Sequence, residues 1–233
     1  MPELYASDIP WDRFWSSYMQ SYLERDVREL VNLRNERKFF DFMVACAARS
    51  GQLFNASDIA NSIDVDYKTI QSWTSILKAS GIICILQPFW PNAGKRVTKT
   101  PKLYFMDTGL VCNLTRWNTP EQLRNGAMAG HVFETFVVSE VLKSYMNSGA
   151  NLRDVWFYRD SKKREIDLVI QDGHVLHPVE IKIGVQINRS AVKNFACLEN
   201  MTDYEVGFGH VICQTTEPYL LSEEVQAIPV WAI

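Results

Sequence analysis

The sequence has no apolar run near the roughly 18 residues that a membrane span needs. It has no basic-then-apolar leader at its start. It has no C-x-x-C pair, and its five cysteines, Cys46, Cys84, Cys112, Cys197 and Cys213, lie far apart. Such spacing argues against a disulfide framework and fits buried small hydrophobes in a reducing cytosol. The net charge is only −3, so no global field directs the chain to nucleic acid or a membrane. Histidine is scarce, at four residues. His131 and His210 stand alone, and His174 and His177 would face opposite ways on a strand, which leaves no shared ligand pair. No repeat or low-complexity tract occurs. A cytoplasmic, non-membrane protein is expected. Apolar residues make up 47% of 233, enough core for one large domain or two modest ones.

Residues 11–33 place aromatic and aliphatic side chains three and four apart, which predicts an amphipathic helix, continuous or broken once. Another helix is predicted over 36–49, ended by Gly51. Asn55 or Ser57 can cap a short helix over 58–62; a turn at Asp64 leads to a longer helix over 67–80, stopped by Gly81. That order is a helix-turn-helix. The strand-like "IICILQPF", the turn-rich "WPNAGKRVTKTPK" and the strand-like "LYFMD" add a wing. Residues 115–128 carry Pro120 and Gly126 with no long period and read as a linker. A helix over 130–147, a strand at 154–160, a hairpin, a helix near 188–200 and two final strands follow. The expected fold class is α+β or α/β, with a boundary near 115–128.

The hairpin "REIDLVIQDGHVLHPVEIKIG" (164–184) gathers charge at one end. With Asp172-Gly173 as a two-residue turn, Gln171 faces His174, Glu165 faces Glu180, Asp167 faces Pro178 and Lys163 faces Lys182. Alternation then puts Glu165, Asp167, Glu180 and Lys182 on one face. Ile166, Leu168, Ile170, Val175, Val179, Ile181 and Ile183 form an apolar face, with His177 the exception. A solvated outer face would also show this alternation. Opposed glutamates repel without a cation between them.

The preceding helix adds a third acid. In "GHVFETFVVSEVLKSY", Glu134 falls inside an apolar arc between Val141 and Tyr145. A carboxylate there needs a partner, either an arginine or a shared metal ion. Glu134, Asp167 and Glu180 offer the oxygen ligands that Mg²⁺ prefers, and Lys182 can orient a water or steady phosphate oxygens.

At these residues the chain resembles the PD-(D/E)XK, or restriction-endonuclease-like, superfamily: Asp167, then Glu180-x-Lys182, after a helix carrying Glu134. A wider resemblance rests on "SYLERDVREL", "SWTSILKASGII", "KTPKLYFMDTGLVCNL", "GHVFETFVVSEVLKSY", "FYRD", "EIDLVI" and "VEIK". These look like the C-terminal domain of prokaryotic AAA-type ATPases, in which a winged helix and a nuclease-like domain follow a P-loop module. The resemblance implies 1–52 as a helical region joining to an ATPase module, 53–114 as a winged helix, 115–128 as a linker and 129–233 as the nuclease-like domain. It implies catalytic Asp167, Glu180, Lys182 and Glu134, a Mg²⁺ held by Glu134, Asp167 and Glu180, and an ATPase partner. No G-x-x-x-x-G-K-[ST] occurs; "NAGKRV" (92–97) lacks its first glycine and the Ser/Thr, so ATP is not expected to bind these residues.

Between Trp90 and Phe105 stand Lys95, Arg96, Lys99 and Lys102 with no acid. A basic wing suits a DNA backbone, and Lys68 and Gln71 on the second helix are placed to meet a groove. The same unit could instead serve protein contacts. Two functions are therefore expected as rivals: a DNA-associated Mg²⁺-dependent nuclease module, or a non-catalytic regulatory domain with a vestigial nuclease fold.

Overall fold

A computed structural model describes residues 9–22, 36–90 and 100–233. Helix α1 (Trp11–Tyr22) buries Trp15, Met19 and Tyr22, the three-and-four spacing of one face. Its expected continuation to 33 lies outside the described residues. Helix α2 (Glu36–Ala47) buries Phe39, Phe42, Met43 and Cys46. Helix α3 (Ala56–Ile63) is capped by Asn55, whose side chain accepts from the Ser57 and Asp58 amides. It ends at Asp64 in the left-handed region. Helix α4 (Tyr67–Ala79) starts on an Asp66 cap, and Gly81 follows it at φ +70°. The short helix, turn and longer helix stand as the pattern predicts.

Strands β1 (Gln52–Leu53), β2 (Ile83–Leu86) and β3 (Lys102–Phe105) form an antiparallel sheet in the order β1-β3-β2. All four residues of β3 are buried. Helices α5 (Thr108–Leu114) and α6 (Pro120–Asn125) follow. The stretch read as a linker thus contains a helix: Thr119 caps the Gln122 amide and Pro120 opens the first turn, two local signals that need no long period. Helix α7 (Ala129–Ser148) closes on Gly149.

The second sheet is mixed and seven-stranded. Its strands are β4 (Val155–Arg159), β5 (Glu165–Asp172), β6 (Val175–Lys182), β7 (Glu205–Val206), β8 (Gly209–Cys213), β9 (Tyr219–Ser222) and β10 (Val225–Pro229). They run in the order β4-β5-β6-β8-β10-β9, with β7 also on β6. The helix expected near 188–200 is two 3₁₀ turns, Arg189–Val192 and Phe195–Asn200.

Two features of the hairpin correct the sequence reading. The register pairs Leu168 with Val179, Val169 with Pro178 and Asp172 with Val175, so the loop is Gly173-His174. Gly173 takes φ +59° at the first loop position, as a II′ turn requires. The β4–β5 ladder also slips: Trp156 faces Val169 but Tyr158 faces Ile166, so Phe157 is opposed by both Asp167 and Leu168. This bulge reverses the alternation. Ile166 packs with Val169, Leu176 and Val211, whereas Leu168 packs with Val179, Ile181 and Val137 on the other side. The single apolar face expected from alternation is split between two cores.

Leu86 and Tyr104 of the small sheet share the core of α7 and the large sheet. The Phe89 amide donates to the Phe157 carbonyl at 2.6 Å, and the Phe157 amide to Gln87 at 3.2 Å. The two sheets are joined by packing and backbone bonds. Among the described residues no helix is long and apolar enough to cross a membrane.

Candidate acidic site at the sheet end

Asp167 sits in the β5 bulge, 9% exposed. Its Oδ2 accepts from the Ile181 amide at 2.8 Å, beyond the last paired step of the β5–β6 ladder. A side chain thus satisfies a strand amide, and the carboxylate is fixed by the backbone it caps. Glu180, 6% exposed, accepts from Lys182 Nζ at 2.5 Å through Oε1. Its Oε2 is buried with no hydrogen-bond partner. Lys182 Nζ lies 4.0 Å from Asp167 Oδ2 and donates to the Ile181 carbonyl at 3.3 Å. Burial, then the negative charges of Glu134 and Glu180, push the Asp167 carboxyl up to about 8. Burial also raises Glu180, against the pull of Lys182.

A second cluster lies beside the first. Glu134 on α7 accepts through Oε1 from Lys102 Nζ at 2.8 Å and from the Tyr104 hydroxyl at 2.7 Å. The same Lys102 Nζ lies 2.6 Å from Glu165 Oε1, and Arg159 pairs with the other oxygen of Glu165. Burial opposes charge on Lys102, but Glu134, Asp167 and Glu165 outweigh it and hold the ammonium above the usual lysine range. Burial likewise opposes charge on Glu165, yet Lys102 and Arg159 keep it below the usual carboxylate range.

Lys102 therefore corrects its assignment to a DNA-facing wing. It is 2% exposed, because β3 is buried along its whole length and carries the ammonium inward. The sequence did hold the signal: a lysine opening an apolar strand and a glutamate on an apolar helix face are two anomalies that cancel. Tyr104 was likewise missed, and Glu165, placed on the charged face with Asp167, was given no role in the site.

Asp167, Glu180 and Lys182 come together, with Glu134 close enough to act on the charge of both acids. The expected three-carboxylate metal set is not assembled as such. Among the described residues no three acidic, histidine or cysteine side chains are grouped to hold a metal ion. Glu134 is turned to Lys102 and Tyr104 instead.

Of the nucleic-acid candidates, Lys95, Arg96 and Lys99 lie outside the described residues. Lys68 and Gln71 are exposed on α4. Gln71 lines a groove of about 500 Å³ with Tyr67, Ser75, Lys78, Thr100 and Pro101. Lys78 is a cation of this groove that the sequence reading passed over.

The chain is similar to two curated proteins, "Uncharacterized protein Rv2008c" of Mycobacterium tuberculosis (strain ATCC 25618 / H37Rv) and "Uncharacterized protein Mb2031c" of Mycobacterium bovis (strain ATCC BAA-935 / AF2122/97). Each match is 26% identical over 168 residues, covering 71% of this chain and 36% of the relative. The match thus spans about a third of the relatives' length. No solved structure matches the chain. Residues 129–233 match the domain of unknown function DUF4143, which is commonly associated with AAA-type ATPases. Residues 1–121, just over half the chain, match the domain of unknown function DUF8612, and the chain belongs to that family.

Proposed function

We propose that the chain is a DNA-associated module working with an AAA-type ATPase, a winged helix followed by a PD-(D/E)XK-like domain that hydrolyses phosphodiesters with Mg²⁺. The observation that carries this reading is the buried, unpartnered Glu180 Oε2 next to a buried Asp167. Buried carboxylate oxygens without a donor are costly, and a divalent cation is the partner that oxygen ligands suit. Asp167 and Glu180 would hold the ion, with waters completing its shell. When bound, it would activate a water and offset charge on the phosphate. The Ile181 amide keeps Asp167 from rotating away. Lys182, half-exposed at the mouth, would donate to a phosphate oxygen or orient the attacking water. Duplex would lie against α4 and the wing, with Lys68, Gln71, Lys95, Arg96 and Lys99 as phosphate and groove contacts. The test is cleavage of plasmid and oligonucleotide DNA by the full chain with Mg²⁺ or Mn²⁺. Wild type should cut and Asp167→Ala should not. An equal absence of cleavage in both, across substrates, removes the enzymatic reading.

A second reading has its own observation. Lys102 already neutralises Glu134 and Glu165, so part of the acidic cluster needs no ion. In a non-catalytic regulatory domain of the ATPase, the remaining acids would be vestigial. This reading expects no Mn²⁺ binding by calorimetry.

A further inference from the structure

The acidic site is built partly from outside the sheet that bears it. Lys102 and Tyr104 belong to β3 of the small sheet, yet their polar atoms end on Glu134 of α7 and, for Lys102, on Glu165 of β5. Glu165 stands two residues before Asp167, at the near side of the bulge, and Arg159 grips it from β4. On the far side, Asp167 is fixed to the Ile181 amide. The bulge is thus pinned at both ends, and one pin reaches in from the small sheet. Lys102 is also boxed by aromatic rings, 5.6 Å from the centre of Phe157 and 5.9 Å from that of Tyr104, so its ammonium has one place to be.

We propose that Lys102 and Tyr104 are positioning residues for the cation site: they lock Glu134 and the β5 bulge so that Asp167 and Glu180 meet an incoming ion in fixed geometry. This rests on the reading of Asp167 and Glu180 as cation ligands. It makes the acidic site dependent on the small sheet, because removing β3 takes away both locking groups. Tyr104→Phe deletes one hydroxyl and keeps the ring in its core; Lys102→Arg keeps the charge and changes its reach.

The test measures Mn²⁺ binding to the full chain by calorimetry, with melting temperatures taken in EDTA. Tyr104→Phe and Lys102→Arg should each weaken Mn²⁺ binding about tenfold, the low end of what losing an outer support of a metal site costs. Affinities equal to wild type in both variants overturn the proposal, whatever happens to the melting temperature. Absence of Mn²⁺ binding by wild type would instead remove the cation reading. The positioning claim is then decided without metal, from the ¹³C carboxyl signal of Asp167, which neither residue touches, assigned by its loss in Asp167→Asn. A moved signal in both variants supports the lock, and an unmoved one overturns it.

Discussion

Two pairs of acids stand side by side at the end of one sheet and have opposite electrostatic fates. Glu134 and Glu165 share a buried lysine, and Arg159 adds a second cation to Glu165. Asp167 and Glu180 share Lys182, which is 41% exposed along its side chain and contacts Asp167 only at 4.0 Å. Glu165 is accordingly held below its ordinary range while Asp167 is pushed up to about 8. The acids are alike; the difference is where the cation comes from. A lysine delivered by a separate strand into a closed core can satisfy its partners fully. A lysine two residues along the same strand as Glu180 stays at the mouth and leaves one oxygen without a donor. The first pair is a finished piece of structure, and the second keeps a demand for positive charge.

The largest test of that contrast removes each lysine in turn. Lys102→Met takes the ammonium from Glu134 and leaves Glu165 with Arg159 alone, and should cost about 3–5 kcal/mol of stability, the usual penalty for breaking a buried pair. Lys182→Met should cost less, about 1–2 kcal/mol, since that side chain is 41% exposed and the raised Asp167 and Glu180 can take up protons in place of the lost cation. Urea denaturation with equal m-values for the variants would measure both. Equal costs would break the contrast.

The next effect comes from supplying the missing charge. With Mn²⁺ at a hundred times its Kd, wild type should gain about 2.7 kcal/mol of stability. Asp167→Asn should gain almost none, and Glu165→Gln, which loses a pin of the bulge and no ligand, should keep about 1.4 kcal/mol at the same Mn²⁺ concentration. Thermal melts with and without excess Mn²⁺ decide it; a gain that survives Asp167→Asn places the ion elsewhere.

The alternation of charged and apolar residues made Asp167, Glu180 and Lys182 legible before any coordinates, because a slip of two residues in the β5–β6 pairing keeps the faces of the paired stretch in step. The bulge opposite Phe157 was not legible. It depends on pairing with β4, a strand whose own sequence gives no sign of a mismatch. The order of the short and longer helices followed from local signals, Asn55 at the start of the first, the turn at Asp64 and Gly81 past the second. The role of Lys102 did not follow, because charge counted along a segment says nothing of which strand turns inward. Glu134 was marked correctly as an acid that needs a partner, and the partner stood 32 residues earlier in a stretch read as surface. Long-range pairing of two anomalies is the step that local periodicity cannot take.

The last test varies pH, is read over single pH units and bears on Asp167 alone. Its ordinary value is 3.8, and in the folded chain it is raised to about 8. Between those limits the native state keeps a proton that the unfolded chain has shed. Stability must then fall as pH rises, by at most about 1.4 kcal/mol per pH unit. Asp167→Asn cannot lose that proton, so its stability relative to wild type should climb by about 1 kcal/mol between pH 6 and pH 7 and level off above pH 8. Glu165 works in the other direction, its contribution present above its unfolded value and lost on acidification, but it is common to both proteins and cancels in the difference. Paired melts from pH 4 to pH 9 in EDTA give the curve. A difference flat across that range would mean that Lys182 satisfies Asp167 as fully as Lys102 satisfies Glu165, and the two pairs of acids would be one kind of site.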